Sequence, residues 1–155
     1  MNIISALHLD WPNLIAGFLL GCLAAYATHA IYDRNQTAAR ASLMRKKYEN
    51  LARAYSNYRP EGSATGGSVE LTQKPDGSFN VVGLHADRTI DWESVLWMDE
   101  KFENHGMARY VQKPGNQHGV QFIRYVPETG ELHVKGTRES PGPPLEFHHI
   151  WRPKM

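Results

Sequence analysis

The sequence predicts two parts of different class: an N-terminal transmembrane α-helix with a helical stalk, then a small all-β antiparallel meander, with a closed barrel favoured over a sandwich. Three observations carry this. Trp11 to Tyr32 holds no Asp, Glu, Lys or Arg; apolar residues then recur at heptad spacing; and from Gly66 onward the period changes to two, with turn residues between the runs. The expected divisions are a transmembrane anchor over 1–32, a basic amphipathic stalk over 33–60 and a barrel-like domain over 61–155.

At about 1.5 Å of rise per residue the uncharged stretch is long enough for a ~30 Å hydrocarbon core. Gly17, Gly21 and Ala25 recur on one helical face, and small residues there let two helices approach closely, so self-association through this helix is expected. A cleaved signal is the alternative, because Ala25-Tyr26-Ala27 has the small-x-small form and Leu19-Leu20-Gly21-Cys22 resembles a lipoprotein box. Against it, no Lys or Arg lies between Met1 and Trp11, and the apolar run continues to Ile31. Arg34, Arg40, Arg45, Lys46 and Lys47 follow the span, whereas Asp10 is the one charged side chain of these types before it. That asymmetry predicts a protein of the inner (plasma) membrane, with its N-terminus outside, its C-terminal bulk in the cytoplasm, and membrane lipids as partners. The single Cys, Cys22, excludes an intramolecular disulfide.

In the stalk, Met44, Tyr48, Leu51, Tyr55 and Tyr58 are spaced 4, 3, 4 and 3, the a/d seam of a short heptad pattern. Such a stripe serves either as a dimer contact or as a face packed on the protein's own domain; too few heptads are present to choose. Pro60-Glu61-Gly62 marks the expected end. The formal net charge of +1 hides an asymmetry, since Asp33 to Pro60 carries seven Lys/Arg against two acids.

Beyond Gly66, seven runs read as strands: Val69 and Leu71, Phe79 to Val82, Trp92 to Met98, Met107 to Val111, Val120 to Val126, Leu132 to Val134, and Leu145 to Trp151. Lys74-Pro75-Asp76-Gly77, Lys113-Pro114-Gly115-Asn116 and Pro127-Glu128-Thr129-Gly130 carry turn chemistry that suits antiparallel neighbours. Closure into a barrel requires the first and last strands to pair.

Catalytic signatures are missing. The chain has no GxxxxGK[ST], GxSxG, HExxH or paired-Cys pattern, so neither an enzyme nor a cofactor is expected. His85, His105, His118, His133, His148 and His149 match no compact ligand spacing, and His148 and His149 alternate faces if they lie in a strand. No metal site is expected, nor a nucleic-acid polymer as partner.

Polar residues on apolar strand parity are the informative anomaly. Val120, Phe122, Arg124 and Val126 share one face, Met107, Arg109 and Val111 another, and Leu145, Phe147, His149 and Trp151 a third. If these faces point inward, Arg109, Arg124 and His149, with the Trp151 ring, line a cavity for a small anionic or nucleotide-like ligand. If strand ends turn them to solvent or acids neutralise them, no such cavity follows.

The order of a membrane helix and a small barrel rich in Trp, Tyr and Gly, with Gly106 to Tyr110, Gly119 to Tyr125 and Phe147 to Arg152, resembles the membrane-anchored β-barrel effectors of bacterial cyclic-oligonucleotide anti-phage systems. The resemblance implies antiviral defence: a barrel that binds a cyclic-nucleotide signal, and membrane segments that then associate and damage the inner membrane. This chain shows one span where that family usually shows at least two. The expected function is therefore a membrane-anchored sensor and effector with a small ligand; the alternative is a constitutive membrane-tethered interaction module.

Overall fold

The computed structural model describes residues 11–113, 117–139 and 142–154. The chain divides into two compact units, Met1–Arg40 and Ala41–Met155.

Helix α1 spans Trp11–Lys47. Pro12 falls in its first turn, where a missing N–H costs nothing, and Arg45, Lys46 and Lys47 close its last turn, where cations complement the helix dipole. In the first unit its apolar side chains are exposed; Phe18 and Leu20 are 72% and 67% accessible. Thr28 Oγ1 donates to the Ala24 carbonyl at 2.8 Å, which satisfies the hydroxyl inside the apolar stretch. This helix is long and apolar enough to cross a membrane.

In the second unit a single 3-10 turn, Glu49–Leu51, leads into eight strands: β1 (Ala54–Tyr58), β2 (Ala64–Gln73), β3 (Phe79–Leu84), β4 (Ile90–Met98), β5 (His105–Gln112), β6 (Gln117–Val126), β7 (Glu131–Arg138) and β8 (Leu145–Pro153). Each pairs with the next, and β1 pairs antiparallel with β8 through Tyr55↔Pro153 and Tyr58↔Ile150, which closes the barrel. Two expected turns form as their chemistry demands: Gly77 has φ 83° and donates to the Lys74 carbonyl at 3.0 Å, and Gly130 has φ 71° and donates to Val126 at 2.8 Å. Most of the third, at 114–116, lies outside the described residues.

The stalk expected over 33–60 is a shorter helix than its pattern suggested. The α-helix stops at Lys47, one 3-10 turn follows, and Tyr55 and Tyr58 belong to β1, so the strands number eight rather than seven. The reason is burial. Tyr48 is 1% accessible, and Leu51 and Tyr55 are 0%; sinking each into the barrel gains about 1.5–3 kcal/mol, more than helix propensity offers. The heptad stripe is thus spent on the protein's own domain.

These residues plug one end of the barrel. The Asn104 N–H donates to Tyr48 Oη at 3.2 Å, Tyr55 Oη donates to the Leu51 carbonyl at 3.2 Å, and Gln73 Nε2 donates to the Arg45 carbonyl at 2.9 Å, so the end of the helix is satisfied from β2. Around the plug lie Val69, Leu71, Phe79, Leu96, Ile123 and Val134, all buried. Burial pushes the Tyr55 phenol upward in pKa, against an opposing pull from Arg53.

Candidate ligand-binding site

The other end is open. Here a cavity of about 820 Å³ enters the barrel, lined by residues from all eight strands. Its apolar wall is aromatic: Trp92 and Trp151 stack with centroids 5.7 Å apart and planes at 26°, and Tyr110 meets Trp92 and Phe147 edge-on at 6.0 and 5.9 Å.

The strand register explains how rings of this size fit inside a barrel of only eight strands, whose interior ordinarily fills with side chains. Trp92 is paired with Gly83, Tyr110 with Gly119 and Phe147 with Gly136. Each ring closely approaches the glycine directly across from it. A Cβ at Gly83 would meet the Trp92 ring at 2.1 Å, one at Gly119 the Tyr110 ring at 2.4 Å and one at Gly136 the Phe147 ring at 2.5 Å. Three missing side chains keep the rings against the wall and the lumen open.

Polar groups share that lumen. Asn57, Gln121 and His149 line it, and in each one polar atom, Asn57 Oδ1, Gln121 Oε1 and His149 Nδ1, is buried without a hydrogen-bond partner; Gln121 as a whole is 3% accessible. An unpaired buried group of this kind costs about 1–3 kcal/mol. Burial lowers the pKa of His149, a hydrogen bond to the Tyr58 backbone opposes this, and nearby His148 and Arg59 add to the lowering. The imidazole is therefore neutral at pH 7, and the phenol of Tyr110, again through burial, is raised.

At the rim a polar chain runs from Arg138 Nη1 to Gln112 Oε1 at 3.3 Å, and from Gln112 Nε2 to Asp91 Oδ1 at 2.9 Å, with His85 Nε2 3.5 Å from the same carboxylate. Asp87 and Glu146 complete the charged lining, which holds three carboxylates to one guanidinium.

Of the residues expected to line a cavity, His149 and Trp151 do so. Arg109 and Arg124 do not: both are exposed on the outer face of β5 and β6, where Arg109 is paired with Val120 and Arg124 with His105. The Met107 and Val120 faces point outward, the alternative under which no cation-lined cavity follows. Inside, those strands place Ala108 and Tyr110, and Gly119, Gln121 and Ile123; Gly119, across from Tyr110, leaves room for that ring only on this parity. His148 and His149 do alternate, His148 approaching His133 on the outside at 6.5 Å between centroids. Sequence reasoning missed Gln121, Asn57 and the glycine and aromatic pairs. Only knowledge of cross-strand register could have found the pairs, whose members lie far apart in the chain.

On α1, Gly17 and Gly21 are exposed, and a Cβ at either would meet nothing within 4 Å. Among the described residues no three His, Cys, Asp or Glu come together as a metal-binding group. No family model, curated protein or solved structure matches the chain.

Proposed function

We propose that this protein is a membrane-tethered receptor for a small molecule: α1 holds the chain in the inner membrane with the barrel on the cytoplasmic side, and the open lumen takes the ligand. The observation that carries the reading is the cavity itself, which combines a volume of about 820 Å³ with an aromatic wall and three lining residues that each hold a buried polar atom without a partner. Pockets for small molecules have this size and this mixture of apolar surface with a few convergent polar groups. In this reading Gly17, Gly21 and Ala25 are the contact through which occupied copies associate, as the effector resemblance implies. The anionic ligand expected from Arg109 and Arg124 loses its support, because neither cation reaches the lumen.

The test is native mass spectrometry of the full chain released from membranes. A bound non-lipid small molecule is expected, and Asn57→Trp, which fills the lumen near its mouth, should abolish it. A wild-type barrel that carries no such molecule, or one whose molecule survives Asn57→Trp, would count against the lumen as receptor site.

A second reading, a constitutive interaction module, draws on a different surface. Trp97, Met107 and Phe122 are neighbours across β4, β5 and β6 and are 54%, 46% and 60% accessible. Exposed apolar stripes of this kind mark contact surfaces. If this reading holds, Phe122→Ser should release a protein partner while leaving small-molecule occupancy unchanged.

A further inference from the structure

We infer that the lumen takes an aromatic amine: a planar ring carrying an N–H donor, joined to a cationic group. The inference rests on the receptor reading and specifies its ligand.

The aromatic wall sets the body of the ligand, since Trp92, Tyr110, Phe147 and Trp151 offer ring faces and edges to a planar apolar group. The polar atoms in the same cavity set its hydrogen-bonding sense. Asn57 Oδ1 and Gln121 Oε1 are acceptors only, and His149 Nδ1 belongs to an imidazole held neutral. What the two amide oxygens lack is a donor, and a ring N–H supplies one. The rim sets the charge. Arg138 and Asp91 are tied together through Gln112, which leaves the carboxylates of Asp87 and Glu146 as the charge that a ligand meets on entry. Asp87 is held ionised, its side-chain and backbone hydrogen bonds from Thr89 lowering its pKa. An ammonium group gains from these carboxylates and from the ring faces, whereas a carboxylate or phosphate is repelled.

The experiment is equilibrium dialysis of the full chain in detergent micelles against four probes: tryptamine, 1-methyltryptamine without the ring N–H, uncharged indole, and indole-3-acetate with the opposite charge. Protein-free micelles of the same detergent correct for partition. Tryptamine should bind most tightly, indole and indole-3-acetate at least tenfold more weakly, and 1-methyltryptamine about fivefold more weakly; Gln121→Met should reduce that N–H preference to less than twofold. Indole-3-acetate equal to or tighter than tryptamine overturns the cationic class, and an N–H preference unchanged in Gln121→Met overturns the donor assignment; in both cases the lumen remains the site. No binding of any probe by a chain that has been stripped of its co-purified molecule and still rebinds it overturns the aromatic-amine class alone. If that molecule is absent as well, the receptor reading fails with it.

Discussion

The two ends of the barrel are built from the same eight strands, yet they enclose opposite kinds of surface. At the closed end Tyr48, Leu51 and Tyr55 fill the interior, and the hydroxyls of both tyrosines are partnered. At the open end glycines replace side chains opposite the rings, and Asn57, Gln121 and His149 each keep an unpartnered atom. One end contributes stability through close packing, and the other gives some of it up to keep a cavity. The unmatched atoms of the residues at the cavity support the receptor reading; Ser94 Oγ and His148 Nε2, whose residues do not line it, are unmatched as well.

The contrast is broken most severely at the closed end. Leu51→Ala removes a side chain that is 0% accessible and should cost about 2–5 kcal/mol, read as a fall in the unfolding midpoint of the full chain in detergent. A loss below about 1 kcal/mol would mean that the plug is not integral to the core.

The open end yields the next effect. Gly83→Ala places a methyl 2.1 Å from the Trp92 ring, and forced repacking of this kind costs about 1–3 kcal/mol. Trp92 must leave the wall, so ligand occupancy should fall together with stability. A variant that keeps full occupancy would show that the close seating of the ring is incidental. Gln121→Met should have the opposite sign: removal of an unpartnered buried amide is expected to raise stability by about 1 kcal/mol in the ligand-free protein while weakening binding. A melt that moves down instead would show that Gln121 supports the fold.

What was legible in the sequence follows the same division. Elements governed by local chemistry could be read directly: the uncharged span, the period-two runs, and the turns at Gly77 and Gly130 with their positive φ. The fate of Tyr48, Leu51 and Tyr55 could not be read, because a spacing of three and four suits a helix seam and the barrel plug was not visible as a competitor. Nor could the direction of the β5 and β6 faces. Alternation shows which residues share a face; which face points inward depends on cross-strand fit, and here Gly119 of β6 lies across from the inward Tyr110 ring of β5. Arg109 and Arg124 share strand parity with apolar neighbours, which by alternation alone admits a lumen position, but that parity is the outer one and both are exposed.

Acid sharpens the comparison in a smaller way. Burial lowers the folded-state pKa of His149 below its ordinary value of 6.5, so the unfolded chain binds the proton more readily. The contribution of His149 is complete above about pH 6.5 and is lost as the pH falls through that value towards the folded pKa. Unfolding midpoints should therefore drop between pH 7.5 and 5.5, and less steeply in His149→Gln. Equal slopes in the two proteins would place the acid sensitivity elsewhere.

The smallest effect tests which side of the wall matters. Arg124 is exposed and forms no ion pair with a described residue, so Arg124→Met should change stability within about ±0.5 kcal/mol and leave ligand occupancy intact. A guanidinium reaching the lumen would behave differently, since its removal would release any partner acid into a buried site at a cost of about 3–5 kcal/mol or abolish binding. The variant also lengthens the apolar stripe that begins at Phe122 on the same outer face of β6. If a protein partner docks on that stripe, Arg124→Met should strengthen partner capture while small-molecule occupancy stays constant. A loss of occupancy with a normal melt would instead bring Arg124 back to the site, through a motion of β6 that turns its outer face towards the ligand.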